Sequence, residues 1–195
     1  MARSIQLTAL LVAALLAAAA PRARADGGAD ATAEAPDLSG CATITGKSTP
    51  AAAGIAAQLL AGIANDPLYA ALVPAKGHPS CKLRFQDGGV VQIEYRFRGD
   101  TLTLRNDPRI ESSEQVLRVK TPLQVSPEKL LGDAEHFLYG DKGCRIDWSD
   151  SETLPGTTRP PTTETVWHGD VCNCRAAVAK DASGRVSSLS FKSAC

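Results

Sequence analysis

Large aromatic side chains are scarce in this sequence: Phe, Trp and Tyr together make up 5% of it. A core must therefore rest on Leu, Val, Ile and Ala, and in a chain of this size such a core is modest. Charge of one sign is also missing, since 21 Lys and Arg face 21 Asp and Glu. That balance lacks the electrostatic footprint of a nucleic-acid or anionic-membrane binder. Catalytic constellations are absent as well. There is no Gly-x-Ser-x-Gly elbow and no Gly-rich phosphate loop, because Asp87-Gly88-Gly89 reads as a hairpin turn. The three histidines, His78, His136 and His168, lie far apart in the chain. These absences point to a non-catalytic protein without a cofactor.

The longest apolar run, Leu7 to Ala20, is shorter than the roughly 18 residues that cross a bilayer. It fits a secretory signal peptide instead. Arg3 supplies a positive start, Pro21 breaks the run, and Ala23-Arg24-Ala25 matches the small-x-small cleavage rule. Cleavage after Ala25 removes 25 of 195 residues and leaves 170. Arg3, Arg22 and Arg24 go with it, so 18 basic residues remain against 21 acidic ones. The Ala-rich segment looks bacterial, and the mature chain is expected in the periplasm or outside the cell, with no transmembrane segment after signal removal. Residues 26–37 are Ala, Gly and acid without periodicity and read as a disordered spacer. Residues 38–195 form the expected single domain.

Along that domain, two helical segments stand out. Thr49-Pro50 opens the first, with Ile55, Leu59, Leu60 and Ile63 at helical spacing. Asn65-Asp66-Pro67 interrupts it, and a short helix over 67–72 follows before a loop containing Pro74, Gly77 and Pro79. Ser126-Pro127 opens the second, with Leu130, Leu131, Ala134 and Leu138 as its stripe. Between them lies a β meander. Leu83 and Phe85, then Val91, Ile93, Tyr95 and Phe97, then Leu102 and Leu104 alternate with charged or polar residues. Strict period two means an antiparallel sheet with one buried face. Residues 113–120 read as extended, with a helix over 114–119 as the alternative, 145–148 as a short strand leaving Cys144, 150–161 as a polar loop, and 163–168 as a strand. Asp181-Ala182-Ser183-Gly184 turns a C-terminal hairpin. The expected fold is α+β, helices packed on antiparallel sheet. Helix followed by a cysteine opening a strand occurs twice, which suggests two weakly related αβ halves, 50–120 and 121–195, as readily as it suggests chance.

Six cysteines in an exported chain point to full pairing. A hairpin register in which paired numbers sum to 365 or 366 brings Cys172 near Cys195. Cys174 then looks to Cys144 on a neighbouring strand, and Cys41 to Cys81. The alternative is a Cys-x-Cys metal or thiol site. On a continuous strand His168, Asp170, Cys172 and Cys174 share one face and offer ligands suited to zinc or copper. Such a strand spreads them over some 20 Å, and an oxidising compartment favours disulfides.

Arg84, Arg96, Arg98 and Arg105 fall on the polar faces of neighbouring strands and are candidates for a binding patch. A solvated face balanced by Asp87, Glu94 and Asp100 is the plainer reading. Trp148 and Trp167 flank polar loops and are candidate binding residues, with burial the stronger expectation. The function that fits is a disulfide-stabilised binding module whose partner is a protein or an envelope component.

Overall fold

The computed structural model describes residues 35–120, 123, 126–139, 144–156, 162–170 and 173–194. The proposed signal peptide, most of the spacer, and Cys172 and Cys195 lie outside the described residues, as do the side chains of 136–139.

Nine strands form one sheet: β1 (Thr43–Thr45), β2 (Ser80–Gln86), β3 (Val90–Arg96), β4 (Thr101–Asp107), β5 (Ser112–Arg118), β6 (Glu152–Pro155), β7 (Thr163–His168), β8 (Arg175–Lys180) and β9 (Val186–Ala194). Their spatial order is β1-β2-β3-β4-β5-β9-β8-β7-β6. All neighbours run antiparallel except β1, which lies parallel to β2 and makes the sheet mixed. Two four-strand meanders thus meet through their last strands, β5 and β9. Each meander follows helix, so the element order recurs, but no kinship between the halves follows from order alone.

Three helices occur among the described residues: α1 (Pro50–Gly62), α2 (Pro67–Lys76) and α3 (Pro127–Tyr139). Each begins as its sequence dictates. The Thr49 hydroxyl accepts from the Ala52 amide at 3.2 Å, the Asp66 carboxylate from the Tyr69 amide at 2.9 Å, and the Ser126 hydroxyl from the Lys129 amide at 3.2 Å. Proline takes the first turn in all three, where its missing N–H costs nothing. α2 runs four residues past the expected end at residue 72. Pro74 falls in its last turn, and the Gly77 amide still closes on the Val73 carbonyl at 2.8 Å.

The helices cover one face of the sheet. Leu83, Ile93, Leu102, Leu117, Leu189 and Phe191 are fully buried there against Leu68, Leu72, Leu131 and Ala134. Burying each such side chain contributes about 1.5–3 kcal/mol. α1 differs from its expected stripe. Ala52, Ala53 and Ala56 are its buried residues, with Ile55, Leu59 and Leu60 packed beside them. Alanine lets the helix axis lie close to the sheet.

Two polar residues interrupt this core. Asp66 and Gln115 are both fully buried, and the Gln115 amide donates to the Asp66 carboxylate. The α2 cap is thereby tied to β5 in the middle of the sheet. Burial pushes the Asp66 carboxyl above the usual carboxylate range, opposed by its hydrogen bonds from Tyr69 and Gln115. Tyr95 is buried nearby, edge-on to Tyr69 at 5.2 Å, and desolvation raises its phenol.

Two disulfides pin the periphery. Cys41 bonds Cys81 with Cα atoms 4.8 Å apart, and Cys144 bonds Cys174 at 5.7 Å. These are the partners the sequence argument assigned. They mark a stabilised domain of extracellular type. Among the described residues no helix is long and apolar enough to cross a membrane.

Several expectations change. Residues 145–148 make only a single bridge, Ile146 to Gly169, and no strand. Glu135 of α3 holds this segment instead, accepting from the Ile146 amide at 2.7 Å and the Trp148 indole at 3.1 Å. Residues 152–155, expected as loop, form the edge strand β6. All four are exposed, so no alternation announced it. In the C-terminal hairpin Arg175 pairs with Lys192 and Ala176 with Phe191, numbers that sum to 367. A bulge at Ala179/Lys180 moves the register by one, because Lys180 itself pairs with Val186.

Candidate functional site on the open sheet face

The side chains opposite the core form the second face of the sheet, which the helices do not cover. Register fixes their arrangement, since directly paired residues point the same way. On β3, β4 and β5 they form a three-by-three grid. Gln92, Arg105 and Glu114 make one row, Glu94, Thr103 and Val116 the next, and Arg96, Thr101 and Arg118 the third. Lys82 and Arg84 on β2 extend the rows one way, and Ser188, Ser190 and Lys192 on β9 the other.

A depression of about 670 Å³ lies in this grid, closed at one end by Phe97, Gly99 and Asp100. Its cause is local. Thr101 and Thr103 on the middle strand and Val116 beside them are short, while Gln92, Glu94 and Arg96 on one flank and Glu114 and Arg118 on the other are long. With strands about 4.8 Å apart and a rise of about 3.4 Å per residue, the trough is roughly 10 Å by 13 Å.

Its charges fall into two sets. Arg96 pairs with Glu94 at 2.5 Å, and Arg105 with Asp107 at 3.3 Å. Asp107 also takes a forked pair of bonds from Arg109, at 2.9 and 2.8 Å. The Arg109 guanidinium holds the Asp107 carboxyl down to about 2. The second set is Lys82, Arg84, Arg118 and Lys192, for which no ion pair occurs among the described residues. Over the three rows from β2 to β9, six Lys or Arg side chains face two Glu. The whole chain is balanced at 21 to 21, so positive charge is gathered here.

Of the arginines singled out from sequence, Arg84 and Arg96 lie on this face, with Arg96 in the trough wall, and Arg105 lies beside them. Arg98 falls beyond the end of β3, on the exposed turn to β4, and does not line the trough. The two tryptophans lie away from this face. Trp167 is buried on the core side, with Trp148 half-buried against it at 5.5 Å between rings. Sequence reasoning missed Arg118, Lys192 and the threonine floor. The signals were there, Arg118 alternating with Leu117 and Lys192 with Phe191, but only the β5–β9 pairing joins them.

Backbone and bonding among the described residues bear on the metal alternative. β7 ends at His168 and β8 begins at Arg175, with Asn173 in a left-handed turn at φ 43° between them. Gly169 sits so tightly that a Cβ there would meet the Arg145 carbonyl and the Cys174 side chain at 2.6 Å each. No continuous strand aligns His168, Asp170 and Cys174, and Cys174 is bonded to Cys144. Cys172 lies outside the described residues. Among the described residues no cluster of three His, Cys, Asp or Glu is placed to hold a metal.

No protein-family model matches the chain, no curated protein matches it, and no solved structure matches its fold.

Proposed function

We propose that this is an exported, non-catalytic binding module that holds a protein partner on the open face of its sheet, in the periplasm or outside the cell. The observation that carries this reading is the trough over β3–β5. An antiparallel sheet covered on one side needs only polar residues on the other. It needs neither a depression nor a gathering of unpaired cations around an uncharged floor. Disulfides and the signal-like start of the sequence support export. Intact-mass measurement of the exported protein is expected to give a chain beginning at Asp26, and one beginning at Met1 refutes export.

The binding reading is tested by capture from envelope extract with three forms of the mature protein. Thr103→Trp fills the trough floor and is expected to abolish capture without lowering the melting temperature. Gln58→Trp, exposed on α1, is expected to capture as the unaltered protein does. Capture that survives Thr103→Trp removes the face from the function.

A further inference from the structure

Resting on that reading, we infer that the trough receives an acidic loop of a folded partner protein. Three features of the face select this occupant. The first is sign. Arg118 in the wall and Lys82, Arg84 and Lys192 around it have no ion-pair partner among the described residues. A ligand that supplies carboxylates completes them, with charge-assisted bonds that favour the forked arginine geometry.

The second feature is the floor. Thr101, Thr103 and Val116 carry no charge, and Ser190 continues the row of Thr103 and Val116 on β9. An uncharged centre inside a charged rim is the anatomy of a protein interface, where the middle is desolvated and the rim sets encounter rate and register. Small-molecule sites are instead mostly apolar and aromatic, whereas this trough is lined mainly by polar and charged residues, with Phe97 its one aromatic among the described residues, at one end.

The third feature separates a protein from a uniform polyanion. Glu94 and Glu114 stand in the same grid as the cations. Glu114 has no ion pair among the described residues, although Arg105 and Lys192 face it across the strands. A sulfated glycan laid over the trough meets these carboxylates with like charge, and like charges cost binding. A protein loop with acids at its tip and a base at its shoulder satisfies both signs. The dimensions agree, because a depression open on one side and roughly 13 Å long admits the tip of a loop.

The test is amide-shift mapping of the mature protein titrated at low salt with a head-to-tail cyclic peptide of Asp, Glu and Gly. A cyclic peptide with Lys in place of the acids and a sulfated polysaccharide serve as comparisons. The acidic peptide is expected to shift Thr103, Val116 and Ser190 saturably, and the Lys peptide to leave them still. Arg118→Glu is expected to weaken the acidic peptide on the order of tenfold, and physiological salt to weaken it further. Equal or tighter binding of the polysaccharide overturns the protein assignment. Absence of shifts, or shifts confined to the helical side, overturns the acidic loop. If the acidic peptide is silent while Thr103→Trp still abolishes capture from extract, the loop's chemistry is wrong and the face stands. If Thr103→Trp leaves capture intact, the face itself has failed.

Discussion

The two halves of the open face obey the same alternation and end differently. On β7 and β8 the outward residues are Glu164, Val166 and His168 against Ala179, Ala177 and Arg175. Arg175 reaches across the intervening row to Glu164 at 2.7 Å. Ala177 and Val166 form that intervening row and are buried although they point away from the core. Next to it His168 bonds Glu152 of β6 at 2.8 Å. The second half has closed its outer face with its own side chains. The first half has not, for Thr101, Thr103 and Val116 are only half-buried. The same sheet therefore shows what self-sufficiency looks like, and the uncovered half departs from it.

The disulfides provide the largest break between the halves. Cys41–Cys81 closes a separation of 40 residues and Cys144–Cys174 one of 30. Each is expected to stabilise by about 4 kcal/mol in the chain-entropy account. Denaturant unfolding of Cys41→Ala/Cys81→Ala and Cys144→Ala/Cys174→Ala double variants measures them. Non-reducing peptide mapping is expected to return both bonds and, by elimination, Cys172–Cys195.

Asp66→Ala comes next, at about 2–3 kcal/mol, because it removes the α2 cap and strands the buried Gln115 amide. A loss under 1 kcal/mol in urea unfolding removes this polar tie from the stability of the first half. Arg175→Ala is expected to cost at most about 1 kcal/mol, since its ion pair is partly exposed. A crystal structure of this variant is expected to show the trough lengthened over Ala177 and Val166. Replacing Arg84, Arg96 and Arg98 by Gln is expected to change stability by no more than about 0.5 kcal/mol each. A larger loss in thermal unfolding makes that patch part of the folding energetics.

Acid titration compares one carboxylate from each half. Asp107 at the end of β4 is held to about 2 chiefly by the Arg109 side chain, and Asp181 in the β8–β9 turn to about 2 chiefly by the Ser183 hydroxyl. Both lie below the unfolded value near 3.8, so their stabilisation is present above pH 4 and lost as pH falls through 2. Asp66, raised by burial, acts in the opposite sense: the stability it contributes is present below 3.8 and lost as pH rises through its raised folded value. Asp107→Asn and Asp181→Asn are each expected to flatten the acid limb of the stability profile. An unchanged limb in both places the acid sensitivity elsewhere.

Much of this fold was legible locally. Caps at Thr49, Asp66 and Ser126 are side chains hydrogen-bonding amides three residues on, and β2, β3 and β4 declared themselves by alternation. The Cys144–Cys174 partners were reached through a hairpin register one short of the observed one, and the Cys41–Cys81 partners by elimination. What was not legible is what depends on distant pairing. Fully exposed β6 carries no hydrophobic period, and the bulge beside Lys180 leaves no composition signal. Arg118 and Lys192 are 74 residues apart in sequence and meet on one face only because β5 pairs with β9.

That central pairing has a consequence for biogenesis. β9 is the last strand in chain order, yet it occupies the middle of the sheet, bonded to β5 on one side and β8 on the other. During synthesis the first meander and the strands β6 to β8 are all made before β9, the strand that joins them. Until β9 arrives, β5 offers a full-length bare edge, the kind that templates wrong pairings. The nascent protein thus passes through a stage of two open sheets, and any factor that holds it there gains the most by shielding β5. Clipping residues from the C-terminal end would unzip the molecule at its centre, whereas clipping through β1 trims a border strand and the Cys41 anchor beside it.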